Sequence, residues 1–177
     1  RLSAERVALA CIAAPMLQAL LQTKTDLAAY KLVHFRHFIC ATGTLTVELA
    51  AKFEQTYRMP IIHGYGLPEA TCLSACLPVD LDSAEHKQWL TKYGVPSIGV
   101  ALPVNEISIQ GEHGADLEEE QRGEIVIRGH SVMRRYADRP DDNAEAFRHG
   151  WLRTGHQGFF RFDEQGRKFF FVTRRPG

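Results

Sequence analysis

Residues 33 to 66 carry the signals of a strand, a helix and a second strand in that order, and that order leaves few folds open. VHFRHFIC (Val33 to Cys40) sets Val33, Phe35 and Phe38 against basic neighbours, which predicts a strand. Thr46 stands before VELAAKFEQTY as an N-cap, with Glu48 in the first turn, where the helix dipole favours a carboxylate. Val47, Ala50, Phe53 or Glu54, and Tyr57 share one stripe of that helix. Pro60 closes the unit, and PIIHGYG follows as a short apolar strand running into a glycine turn. Strand, helix, strand predicts part of a parallel sheet with helices on it, an α/β fold. Upstream, Ser3 is placed to cap a helix carrying Val7, Cys11, Ala14 and Leu17 at helical spacing. Pro15 would end or kink it, and Met16 to Gln22 reads as a second helical stretch.

After about Lys92 the pattern changes, with frequent Gly and Pro and short strands. NEISIQG (Asn105 to Gly111) and GEIVIRG (Gly123 to Gly129) alternate with period two, around a polar acidic loop. DRPDDNAEAF fits a short helix opened by Pro140, with carboxylates in its first turn. FFRFDEQGRKFFFVT reads as a β-hairpin with aromatic arms around residues 163–166. Those aromatics are tempting as a lipid surface, but core and cross-strand packing accounts for them better. The chain thus divides into an α/β part, 1–93, and a β-rich part, 94–177.

Lys+Arg and Asp+Glu both number 21, so no basic arm for nucleic acid and no polybasic membrane anchor is expected. Val7 to Leu21 is apolar, but it is short and broken by Pro15 and Gln18, so no integral membrane segment or signal peptide is expected. Four cysteines, Cys11, Cys40, Cys72 and Cys76, read as reduced thiols of a cytoplasmic protein. Cys72 and Cys76 would share a helix face if CLSAC were helical, yet no second ligand pair stands at a zinc-site spacing. The chain begins at Arg1, which suggests a piece of something longer.

No Walker loop, G-x-G-x-x-G, G-x-S-x-G or H-E-x-x-H motif is present. Two glycine turns remain as candidates. HGYGLPEAT (His63 to Thr71) runs from a strand into a turn whose glycines admit close backbone approach. Glu69 follows at a helix start, placed to hold a divalent cation or to cap N–H groups. RTGHQG (Arg153 to Gly158) presents His156 at its tip. On composition alone each is a plain loop, although strand ends are where ligands sit in α/β sheets.

These segments together resemble the adenylate-forming (AMP-binding) superfamily of acyl-CoA synthetases, fatty-acyl-AMP ligases, luciferases and peptide-synthetase adenylation domains. HGYGLPEAT resembles its Y-G-x-T-E-A-T segment, and PSIGVALPVNEISI its G-S-I-G-x-P-L-P-G-x-E-V-x-I stretch. RGEIVIRGHSVMRRYADRPDDNAEAF is similar to G-E-I-x-x-R-G-x-x-V-M-x-G-Y-x-x-x-P-x-x-T-x-x-A-F, and GWLRTGHQGFFRFDEQG to G-W-L-R-T-G-D-x-G-x-x-x-x-D-x-x-G. ICATGTLTVEL is a weaker match to S-G-G-A-P-L-x-x-E-L. The matches fall in family order and cover nearly the whole chain. The resemblance implies the latter part of the large N-terminal domain: a partial parallel sheet with helices, then a β-rich, distorted barrel-like subdomain. By the same resemblance, the C-terminal lid is expected to lie outside this stretch.

What the resemblance implies chemically is activation of a carboxylic acid, fatty or aryl, with ATP, giving an acyl-adenylate and pyrophosphate. The acyl group then passes to the thiol of coenzyme A or a carrier protein, a choice the sequence leaves open. By position Glu69 would be the Mg²⁺ carboxylate and the catalytic residue. Tyr65 would flank the adenine, and His63, Gly64, Gly66 and Pro68 would shape the ATP/AMP pocket, with Gly43 on another wall. His156 would face the ribose. Arg175, or Arg174 if the register slips by one, would be a second ribose contact.

Two departures fall at the chemistry. Pro68 replaces a Thr whose hydroxyl would contact phosphate, and proline supplies neither hydroxyl nor N–H. His156 replaces an Asp able to accept from both ribose hydroxyls, whereas a neutral imidazole offers one donor and one acceptor. The family's phosphate loop would lie upstream and its catalytic lysine downstream. The chain alone is therefore expected not to adenylate anything, and to need the missing parts of the same enzyme or a dimer partner. The alternative is a degenerate, inactive relative that serves as a binding or interaction module.

Overall fold

The computed structural model describes residues 2–174 and the backbone alone of Arg174. The chain separates into two units, one of residues 1–64 and 78–96, the other of 65–77 and 97–177. The segment 65–77, which follows the first parallel strands in sequence, thus packs with the β-rich part.

In the first unit, β1 (Leu9–Ala13), β2 (His37–Thr42) and β3 (Ile61–Tyr65) are parallel neighbours. Their connections carry α1 (Ala14–Gln22) and α2 (Val47–Tyr57), and α3 (Ser83–Thr91) adds a third helix. The expected strand–helix–strand is present. Thr46 Oγ1 accepts from Leu49 N at 3.2 Å, as a cap must. Phe53 is fully buried on the inner stripe of α2, meeting Phe38 edge-on at 5.8 Å and Tyr57 at 4.7 Å between ring centroids. Glu54 lies beside that stripe and ties three elements together. Its Oε1 accepts from Ile61 N at 2.7 Å and from the Nε2–H of buried His86, in α3, at 2.8 Å.

The helix expected from Ser3 through Ala14 is not formed. Residues 9–13 are β1, and Pro15 lies in the first turn of α1 instead of ending a helix. A five-residue apolar run fits both periodicities, and pairing with β2 decides for the strand. The expected strand at Val33 begins four residues later, at His37, and Val33 is exposed. Within CLSAC, only Ala75–Cys76 are regular, as a short strand rather than a helix.

The second unit is an antiparallel sheet with the order β4-β5-β9-β8-β7-β6. Its strands are β4 (Ala75–Cys76), β5 (Ser97–Ala101), β6 (Asn105–Gln110), β7 (Gly123–Gly129), β8 (Leu152–Phe162) and β9 (Lys168–Arg174). Among the described residues the sheet is open, not closed into a barrel. The α4 helix (Pro140–Ala146) lies between β7 and β8. Ile98, Ile107, Ile109, Ile125, Ile127 and Phe170 are core residues, and Phe159 stacks on Phe171 across the hairpin at 4.6 Å. The aromatic arms therefore serve packing and pairing. Among the described residues no helix is long and apolar enough to cross a membrane.

Candidate nucleotide site

The first unit carries three of the expected site residues to one end of its parallel strands. His63 pairs with Cys40 in register, and Gly64 follows it in β3. Gly43 lies just past β2 at φ +82°, a left-handed turn open to glycine without strain. This is the carboxyl end of the sheet, where α/β folds place ligands.

The second unit brings together Tyr65, Gly66, Pro68, Glu69 and His156. Tyr65 is buried, and its hydroxyl shares a 2.5 Å hydrogen bond with His156 Nδ1. Their rings meet edge to face at 5.4 Å. The chain then folds back, and Ser74 N donates to Tyr65 O at 2.7 Å. Gly66 makes that fold possible, because a Cβ there would overlap the Cys72 carbonyl oxygen. Its lack of a side chain thus admits the chain's own backbone rather than a ligand. Pro68–Ala70 form one turn of 3-10 helix, with exposed Pro68 in its first position and half-buried Glu69 next.

Glu69 is held by a segment far away in sequence. Its Oε1 accepts from Tyr136 Oη at 2.9 Å, and its carbonyl accepts from Met133 N at 2.7 Å. Burial, and then the Glu69 carboxylate itself, push the Tyr136 hydroxyl above its ordinary value of 10.0, so it stays protonated and donates. Asn143 in α4 clasps the Tyr136 backbone, accepting from its N–H at 2.7 Å and donating to its carbonyl at 2.8 Å.

The segment ahead of His156 was expected as a glycine turn, yet it lies inside β8, with Gly155 at φ +72° marking an irregularity in the pairing with β7. Glu124 on β7 governs this stretch. It forms an ion pair with Arg153, each side chain only 11% exposed, and accepts from Gly155 N at 2.8 Å. Thr154 Oγ1 donates to Ile125 O at 2.7 Å and accepts from His156 N at 3.1 Å. Arg153 Nη1 is buried without a hydrogen-bond partner among the described residues. A cavity of about 600 Å³ opens here, lined by Glu124, Tyr136, Arg139, Arg153, Thr154 and Gly155 among others. Arg175 lies outside the described residues, and only the backbone of Arg174 is described, pairing with Gln157.

Tyr136, Asn143, Glu124 and Arg153 were not singled out by the sequence. Tyr136 reaches Glu69 across 67 positions, and no local pattern announces such a contact. Among the described residues no three His, Cys, Asp or Glu side chains cluster as a metal site. A single carboxylate nevertheless suits Mg²⁺, which is usually held by one or two carboxylates plus substrate phosphates. Glu69 Oε2 accepts no hydrogen bond from the described residues, so the donor set fits that role.

Comparison with known proteins gives the family and the fold. The AMP-binding enzyme family matches residues 2–137. A long-chain-fatty-acid–CoA ligase of Bacillus subtilis is 32% identical over 152 residues, covering 85% of this chain and 24% of that protein. The corresponding ligase of Yersinia pestis is 30% identical over 131 residues, covering 71% and 22%. The chain therefore spans about a quarter of the length of these relatives. Among solved structures, Bacillus subtilis o-succinylbenzoate CoA synthetase, in complex with its acyl-adenylate intermediate, superposes with a TM-score of 0.74 at 26% identity, over 96% of this chain and 31% of that one. The N-terminal domain of Mycobacterium tuberculosis FACL13 gives 0.75 at 24% identity, over 98% and 40%, a likeness of fold. With the family matched over most of its length and the fold shared, this chain belongs to the AMP-binding enzyme family and forms part of an adenylate-forming domain.

Proposed function

We propose that the protein carrying this chain activates a fatty or aryl carboxylic acid with ATP and passes the acyl group to the thiol of coenzyme A or a carrier protein. The substrate carboxylate attacks the α-phosphorus, the bond to the β-phosphate bridging oxygen breaks, and pyrophosphate leaves. The thiolate then attacks the acyl carbonyl, and AMP leaves. One observation carries the reading: the 65–77 segment sets Tyr65 against His156 and Glu69 against Tyr136 within one unit, beside an open cavity. Tyr65 would bound the adenine and His156 would meet the ribose, both within the second unit. Glu69 would hold Mg²⁺, whose charge offsets that of the phosphates and the pyrophosphate leaving group. The chain alone is proposed not to complete the reaction, and a cytoplasmic location is part of the same proposal.

A second reading, an inactive relative that binds or scaffolds, is favoured by the state of His156. With Nδ1 engaged by Tyr65, the imidazole can offer at most one other ring nitrogen to two ribose hydroxyls. Losing a charge-assisted pair there costs about 1.5–3 kcal/mol. The two readings separate in the full-length gene product. Under the first, millimolar ATP with Mg²⁺ raises the melting temperature, because a ligand of the native state stabilises it. A carboxylate and coenzyme A then yield a thioester by mass spectrometry. Absence of both results leaves the second reading.

A further inference from the structure

We propose that Tyr136 is a positioning residue for the Glu69 carboxylate, holding Oε1 so that Oε2 is presented to a divalent cation. The inference rests on the reading of Glu69 given above and adds the device that aims it. Glu69 sits on a single 3-10 turn, a short support that leaves its long side chain several rotamers. Three contacts from residues 131–136 remove that freedom. Thr71 Oγ1 donates to Ser131 O at 2.5 Å, Met133 N donates to Glu69 O at 2.7 Å, and Tyr136 Oη donates to Glu69 Oε1 at 2.9 Å. The first two fix the backbone of the turn, and the third fixes the carboxylate.

Tyr136 is itself fixed. Asn143 closes a two-bond ring on its backbone, from a helix whose first turn is set by Pro140. By donating to Oε1, the phenol occupies one carboxylate oxygen without competing for the cation. Outer partners of this kind orient a ligand and sharpen its affinity. The chain from α4 through Tyr136 to Glu69 thus couples the cavity wall to the carboxylate.

The test uses the full-length gene product and a non-hydrolysable ATP analogue at fixed concentration, titrated with MgCl₂. The readout is the Mg²⁺ concentration giving half of the Mg²⁺-dependent rise in melting temperature. Tyr136→Phe is expected to raise that midpoint about 10- to 100-fold, while the melting temperature without ligand and the metal-free affinity for the analogue stay unchanged. Glu69→Gln is expected to abolish the Mg²⁺-dependent rise. Asn143→Ala keeps the hydroxyl but frees its backbone, and should raise the midpoint by a smaller factor. It serves as the second variant if Tyr136→Phe does not fold. A midpoint unchanged in Tyr136→Phe, with Glu69→Gln still defective, overturns the role of Tyr136 alone. An unchanged midpoint in Asn143→Ala does the same where only that variant folds. An unsubstituted protein with no Mg²⁺-dependent rise overturns the function proposed for Glu69 and this inference with it.

Discussion

Removing the Glu124 carboxylate is the sharpest structural test of how His156 is placed. Glu124 and Arg153 are each about nine-tenths buried, and Glu124 also accepts from Gly155 N. Glu124→Ala leaves a buried guanidinium without its counter-charge, which costs about 3–5 kcal/mol. The Gly155 amide loses its acceptor as well, adding about 1 kcal/mol. Arg153 Nη1 is already unpartnered, so the guanidinium has no ready substitute among the described residues. Urea unfolding of the purified protein reads the loss as a lower midpoint at unchanged slope. The cost should persist in 1 M NaCl, because salt screens a buried pair poorly. Replacing both partners, Glu124→Leu with Arg153→Leu, should recover most of it, since no buried charge then remains. A loss below about 1 kcal/mol, fading with salt, is the behaviour of an exposed pair and would refute the reasoning.

Gly66→Ala should destabilise by about 1–3 kcal/mol or more, because the added methyl meets the Cys72–Leu73 backbone and cannot rotate away; a melting temperature equal to the parent's would contradict this. Phe53→Ala should cost about 3–5 kcal/mol by urea titration, as a fully buried ring between Phe38 and Tyr57 leaves a cavity. Asp163 closes the β8–β9 turn. Burial pushes its carboxyl up, but hydrogen bonds from Arg167 and Gln165 and the Arg167 charge outweigh this and hold it below its ordinary 3.8. A depressed folded value means the stabilisation is present above pH 3.8 and lost as pH falls through the lower folded value. Asp163→Asn should therefore destabilise the parent at pH 6 and narrow the gap between the two proteins toward pH 3, and a pH-independent gap would refute it.

Much of the architecture could be read along the chain because its signals are local. Thr46, Glu48 and the Val47–Tyr57 stripe specify α2 within a few residues, and period-two alternation specifies β6 and β7. Local reading failed where pairing decides. LACIA satisfies helical spacing and becomes a strand only because β2 lies beside it. RTGHQG looks like a turn from its glycines, yet pairing with β7 and β9 extends it, and Glu124 absorbs the irregularity at Gly155. In the candidate site, Tyr65, Glu69 and His156 could be singled out as candidates because their motifs are contiguous. The contacts that aim them come from Glu124, Tyr136 and Asn143, each specified by tertiary packing alone.

The most direct test of the central claim is ATP–pyrophosphate exchange by the full-length gene product across a panel of fatty and aryl acids. The account predicts carboxylate-dependent exchange that Glu69→Ala removes and His156→Asp strengthens, since an aspartate restores two acceptors for the ribose. No exchange with any carboxylate, in the unsubstituted protein and in His156→Asp alike, would contradict it.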